Sequence, residues 1–83
     1  MNSEASLIRQ AQLGDAEAFD HLVQPQLPRA YRTAYLITHD PDAASDALQE
    51  ALIRAFRSLG NLRTDSPFFP WFSRIVVNEA LKQ

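Results

Sequence analysis

The chain has 83 residues, 46% of them apolar and 22% charged, a balance that suits one folded domain with a single modest core and excludes a disordered or fibrous chain. There is no cysteine, which excludes disulfides and thiolate metal sites, and the two histidines, His21 and His39, have no recognisable metal-ligand spacing, so no metal or cofactor is expected. The formal net charge of -2 hides an asymmetry: residues 1–50 carry three basic and eight acidic side chains, residues 51–83 five basic and two acidic, so any nucleic-acid surface belongs in the C-terminal part.

Ser3 is placed to cap a first helix with Leu7, Ile8, Ala11 and Leu13 on one side, ended by Gly14 in the left-handed conformation. Asp15 caps a second helix carrying Ala18, Phe19, Leu22 and Val23, continuing in helical spacing through Leu27, Tyr31, Ala34, Tyr35 and Ile37. Pro25 and Pro28 interrupt it, which predicts a kink or a split near Gln24–Pro28. Asp40-Pro41 restarts a third helix, predicted from Pro41 to about Leu59 and ended by Gly60. Asn61 to Asp65 reads as a loop, and Ser66-Pro67 restarts a fourth helix with Phe68, Trp71, Phe72, Ile75 and Val76 as its apolar residues. No segment alternates with a period of two. The expected fold is therefore all-α, a compact bundle of about four helices in one domain. No apolar run approaches a membrane span, and Met1-Asn2-Ser3-Glu4 lacks the features of a secretory signal, so the cytoplasm is the expected compartment.

On the third helix, Ala44, Leu48, Ala51, Leu52, Ala55 and Leu59 form an inward stripe with Phe56 at its margin, at about 100° per residue. Asp46, Gln49, Glu50, Ile53, Arg54 and Arg57 gather on the opposite side. That face admits two readings. One is a solvated surface with Glu50 and Arg54 as a pair worth about 0.3–0.5 kcal/mol. The other is a small protein interface, with Ile53 as an apolar anchor ringed by directional polar groups.

Asp46-Ala47-Leu48-Gln49-Glu50-Ala51-Leu52 resembles the Asp-x-x-Gln-Glu-x-Phe signature in the second region of extracytoplasmic-function sigma factors, which also follows an Asp-Pro helix start. The run from Phe68 through Trp71, Ile75 and Asn78 is similar to that family's Phe-x-x-Trp-Leu-x-x-Ile-x-x-Asn block. The segment from Leu7 to Phe19 is similar to its Leu-Ile-x-x-Ala-x-x-Gly-Asp-x-x-Ala-Phe pattern. The resemblance implies a domain that docks on the clamp coiled coil of the largest subunit of core RNA polymerase through Asp46, Gln49 and Glu50, with Ile53 and Arg54 beside them. It also implies capture of the melted, single-stranded promoter minus-ten element near the loop from Leu62 to Pro67, which includes Arg63, Thr64, Asp65 and Ser66, and by Phe68 and Trp71. Arg57, Arg63 and Arg74 would supply charge and Asn78 an amide for a base edge.

Helical spacing alone places Phe68, Trp71 and Phe72 in a core more readily than on a stacking platform. Phe72 and Ile75 are assigned to the core, Trp71 stands open between the two, and Asn78 stands open between a solvated position and a base contact. An anti-sigma factor is a further partner the resemblance implies. Leu52 replaces the family's usual phenylalanine, and Thr64-Asp65-Ser66-Pro67 replaces an Arg-Gly-rich loop entry, so no base preference carries over. The chain stops before the usual basic end of the fourth helix and has no helix-turn-helix domain, so a piece of a longer chain is expected. The competing reading is a helical adaptor or sigma-like regulator that binds polymerase or an anti-sigma protein without reading DNA, which the acidic balance favours. Enzymatic function is not expected, because the acids are dispersed over helix faces and no nucleophile is paired with a base.

Overall fold

Three of the helix starts are fixed by side-chain oxygens that accept from the backbone three residues on. Ser3 Oγ accepts from Ser6 N (3.1 Å), Asp15 Oδ1 from Ala18 N (3.2 Å) and Asp40 Oδ2 from Ala43 N (3.0 Å). Each occupies an extended backbone position that leaves its oxygen over the first turn, and such caps contribute about 1 kcal/mol apiece. The computed structural model describes residues 3–83; Met1 and Asn2, on which part of the N-terminal reading rests, lie outside it.

The helices, in chain order, are α1 (Glu4–Gln12), α2 (Ala16–Val23), α3 (Leu27–Thr38), α4 (Pro41–Ser58) and α5 (Phe68–Leu81). The expected second helix is split, with a 3-10 turn at Gln24–Gln26 between α2 and α3. Pro25 lies in that turn and Pro28 in the first turn of α3, the two places where a missing N–H costs least. Among the described residues there is no strand, and no helix is long and apolar enough to cross a membrane. The all-α expectation holds.

Gly14 ends α1 with φ of 101°, as its position predicts. Gly60 behaves differently: α4 stops at Ser58, and Gly60 lies inside a 3-10 turn at Leu59–Asn61 without left-handed backbone. The residue that does take the left-handed conformation is His39, with φ of 56° at the end of α3, where its N–H reaches Tyr35 O at 2.8 Å.

α4 packs against α3 on one side and α5 on the other, while α1 packs on α2. Its inward surface is built from alanine: Ala44, Ala47, Ala51 and Ala55 are fully buried, whereas Leu48 and Leu52 are only half-buried at the edge of the core. α3 likewise buries Ala30 and Ala34. Small side chains let these backbones approach closely. The bulk comes from elsewhere, chiefly Ile8 of α1, Leu59, and Phe68, Phe72 and Val76 of α5. Phe68 stacks on Phe72 with ring centroids 5.5 Å apart. Leu13, expected on the inner side of α1, is instead 86% exposed, because the helix ends at Gln12 and Leu13 turns outward as its cap.

α3 also packs directly on α5, and two aromatic contacts lie between elements. Phe56, at the margin of α4, meets Phe19 of α2 edge to face at 5.1 Å. The Arg29 guanidinium of α3 sits 3.6 Å above the Phe69 ring of α5, a cation–π contact worth about 0.5–1 kcal/mol at such a surface.

Candidate functional site

The outward face of α4 carries Asp46, Gln49, Glu50, Ile53, Arg54 and Arg57, all exposed. Asp46, Gln49 and Glu50 have no side-chain hydrogen bond or ion pair among the described residues. Ile53 is 47% exposed, and with Glu50, Arg54, Arg57 and Ser58 it lines a shallow depression of about 140 Å³. An apolar side chain at the wall of a hollow, with unpaired carboxylate and amide groups and two guanidinium groups around it, can take a partner's side chain and orient it.

The expected Glu50–Arg54 pair is not formed. Arg54 Nε instead donates to Glu79 Oε2 at 2.9 Å, across the α4–α5 junction, and Lys82 Nζ donates to the same oxygen at 3.0 Å. The reason is burial. Glu79 is the one charged residue inside the core among the described residues, at 4% exposure, and an unpaired carboxylate there would be costly, so it takes the two nearest cations. Arg54 nevertheless keeps 57% of its side chain exposed on the α4 face.

The second surface lies where α4 hands over to α5. Asn61, Leu62, Arg63, Ser66, Pro67, Pro70, Trp71 and Arg74 line an open pocket of about 370 Å³. Of the residues expected to meet single-stranded DNA, the structure brings together Arg63, Ser66, Trp71 and Arg74. Thr64 and Asp65 belong to the same loop but not to the pocket wall. Asn78 is exposed one turn beyond Arg74 on the same side of α5, and Arg57 lines the α4 depression instead. Trp71 is half-buried: it packs against the core and Phe68, and its remaining surface forms part of the pocket.

Phe68 corrects the expectation drawn from the resemblance. It is fully buried, stacked on Phe72, and has no surface to offer a base. Phe72 is also fully buried and Ile75 is packed at the edge of the core, as their spacing predicts. At the loop tip, Arg63 forms a two-pronged pair with Asp65 (Nε to Oδ1 3.2 Å, Nη2 to Oδ2 3.1 Å). These hydrogen bonds, followed by the guanidinium charge, hold the Asp65 carboxyl below its ordinary value.

The start of α5 also departs from expectation. Ser66 does not cap it. Pro67 occupies the capping position and has no side-chain acceptor, so the first N–H, that of Phe68, is taken by Glu4 Oε2 of α1 at 3.1 Å. At the other end of the loop, Gln12 Nε2 donates to Leu59 O (2.9 Å) and Leu62 O (2.8 Å). Asn61 and Pro70 extend the wall just beyond the expected Leu62–Pro67 loop, whereas Glu4 and Gln12 were not legible in the sequence, because their roles depend on contacts between distant parts of the chain.

Residues 22–83 match the Sigma-70 region 2 family. The chain is 40% identical over 77 residues to the RNA polymerase sigma-H factor of Pseudomonas aeruginosa, an alignment covering 93% of this chain and 40% of that protein. It is 38% identical over 79 residues to the ECF RNA polymerase sigma factor SigM of Mycobacterium tuberculosis, covering 95% of this chain and 40% of that protein. It is 37% identical over 76 residues to the ECF RNA polymerase sigma-E factor of Escherichia coli, covering 89% and 38%. The chain thus spans about 40% of the length of these curated relatives. With its helical bundle, its exposed Gln49-Glu50 face and these matches, the chain belongs to the Sigma-70 region 2 family, on the side of the extracytoplasmic-function sigma factors.

Proposed function

We propose that this chain docks on core RNA polymerase and helps recognise and open the promoter minus-ten element, acting in the cytoplasm by binding alone. The observation that carries the reading is the row Asp46, Gln49, Glu50 and Ile53: solvent-facing, on a helix packed against both α3 and α5, with its polar groups uncommitted. Carboxylates in this setting suit an Arg-rich partner surface, and the clamp coiled coil of the largest polymerase subunit is the partner assigned to it.

The second surface supports the DNA half of the reading. Trp71 offers an aromatic wall, Arg63 and Arg74 offer positive charge, and the pocket between them is open to solvent. Unpaired bases are held by such combinations of stacking and charge, and a base captured in this way is unavailable to the duplex, which shifts the equilibrium toward the open strand. An anti-sigma factor would compete for the α4 face. The test is binding to core polymerase by Glu50→Arg and Gln49→Ala variants: both weaken it by about tenfold while the helical circular dichroism is kept, as for loss of oriented polar contacts at an interface. Wild-type affinity in both variants overturns the reading.

A further inference from the structure

Taking the loop pocket as the single-strand site proposed above, we infer that Glu4 and Gln12 of α1 are positioning residues for base capture, holding the pocket-forming loop open from behind without touching DNA themselves. Two independent contacts carry this. Gln12 Nε2 bridges Leu59 O and Leu62 O, pinning the loop where it leaves α4. The Glu4 carboxylate accepts from Phe68 N, pinning it where it enters α5. Leu62 and Pro67, next to these anchor points or among them, are themselves pocket wall.

Beyond the burial of Leu59, Leu62 and Phe68 in the core, few hydrogen bonds direct the backbone at the ends of the loop. Its own bonds are the backbone contacts Leu62 N to Leu59 O and Ser66 N to Arg63 O, and the Arg63–Asp65 pair at its exposed tip. Pro67 has no N–H to donate and no side chain with which to cap α5. The first amide of α5 is a group that the helix cannot satisfy internally, and the carbonyls of Leu59 and Leu62 bracket the turn that follows α4; α1 supplies partners for all three. An ordered loop binds a base without having to be ordered by it. The affinity therefore depends on groups remote from the ligand.

The experiment measures fluorescence anisotropy of labelled oligothymidylate and oligoadenylate with the chain and with its Gln12→Glu, Glu4→Ala and Glu4→Gln variants, alongside affinity for core polymerase. Gln12→Glu keeps the shape and removes both donated bonds; Glu4→Gln keeps an acceptor for Phe68 N. Gln12→Glu and Glu4→Ala are expected to weaken oligonucleotide binding about fivefold and to change the ratio between the two oligonucleotides, with Glu4→Gln near wild type and polymerase affinity held within about twofold. Arg74→Ala, in the pocket wall, is the control. If it weakens DNA binding while the α1 variants leave affinity and base ratio unchanged, the inference falls and the pocket reading stands. If the wild-type chain binds neither oligonucleotide, the pocket reading fails and takes the inference with it. An equal loss of polymerase and DNA binding in the α1 variants also overturns it, since it marks a general structural role.

Discussion

Arg54 and Glu79 tie the outward-facing helix of the bundle to its last one: the Arg54 Nε donates to the Glu79 carboxylate at 2.9 Å, on a residue whose side chain is only 6% exposed. The two partners are unequal, because Arg54 is largely hydrated and Glu79 is not. Removing the cation leaves a buried carboxylate with Lys82 alone, whereas removing the acid leaves two cations that water can solvate. Arg54→Met is therefore expected to cost about 1–3 kcal/mol and Glu79→Met less than about 1 kcal/mol. Urea unfolding with an unchanged slope reads both, and the opposite order would show that the pair does not limit stability.

The two aromatic residues flanking the loop pocket should separate folding from binding. Phe68→Ala is expected to destabilise the chain by about 3–5 kcal/mol, since it empties a fully buried position. Trp71→Ala, at a half-buried position, should cost about 1–2 kcal/mol and reduce single-strand binding by about tenfold. Thermal unfolding and oligonucleotide anisotropy measured on both variants check the division; equal effects on stability would contradict it.

His39 holds a left-handed backbone conformation that costs an L-residue about 1 kcal/mol relative to glycine. His39→Gly should therefore raise stability by up to about 1 kcal/mol, or roughly 4–8 °C in Tm for a domain of this size. A lower melting temperature would show that the imidazole has a compensating contact in solution.

Asp65 gives a pH-dependent signature of the loop tip. Its carboxyl is held below its ordinary value, so the Arg63 pair is intact above that value and is lost as the pH falls through the lowered one. In Arg63→Gln, the Asp65 titration followed by NMR should move upward toward the ordinary carboxylate range. A midpoint unmoved by the substitution would mean that Arg63 is not the cause.

Much of this architecture is written locally. Ser3, Asp15 and Asp40 announce their helices because a cap needs only an oxygen and a turn of backbone, and Gly14 announces an end because few residues tolerate its φ. The polar face around Ile53 follows from helical periodicity in the same way. What escaped reading is non-local. Ser66-Pro67 has the pattern of a cap, but Pro67 takes that position and the acceptor for Phe68 N comes from Glu4, 64 residues before Phe68. Glu50 and Arg54 have the spacing of a surface pair, but the deeper carboxylate of Glu79 wins the guanidinium. Phe68 matches a block associated with DNA contact, yet only the packed bundle reveals that its ring points inward.

The methyl-lined seam along α4 has a consequence for the polar face on its other side. With Ala44, Ala47, Ala51 and Ala55 on its buried side, α4 itself contributes only short, rotamer-free side chains there, and the bulky side chains of its neighbours fill the space against them. A cushion of leucines would tolerate sliding; a bed of methyls does not. The row proposed above to dock is thus mounted on a close-packed underside, and enlarging one methyl there would tilt the carboxylates above without altering any residue of the row itself.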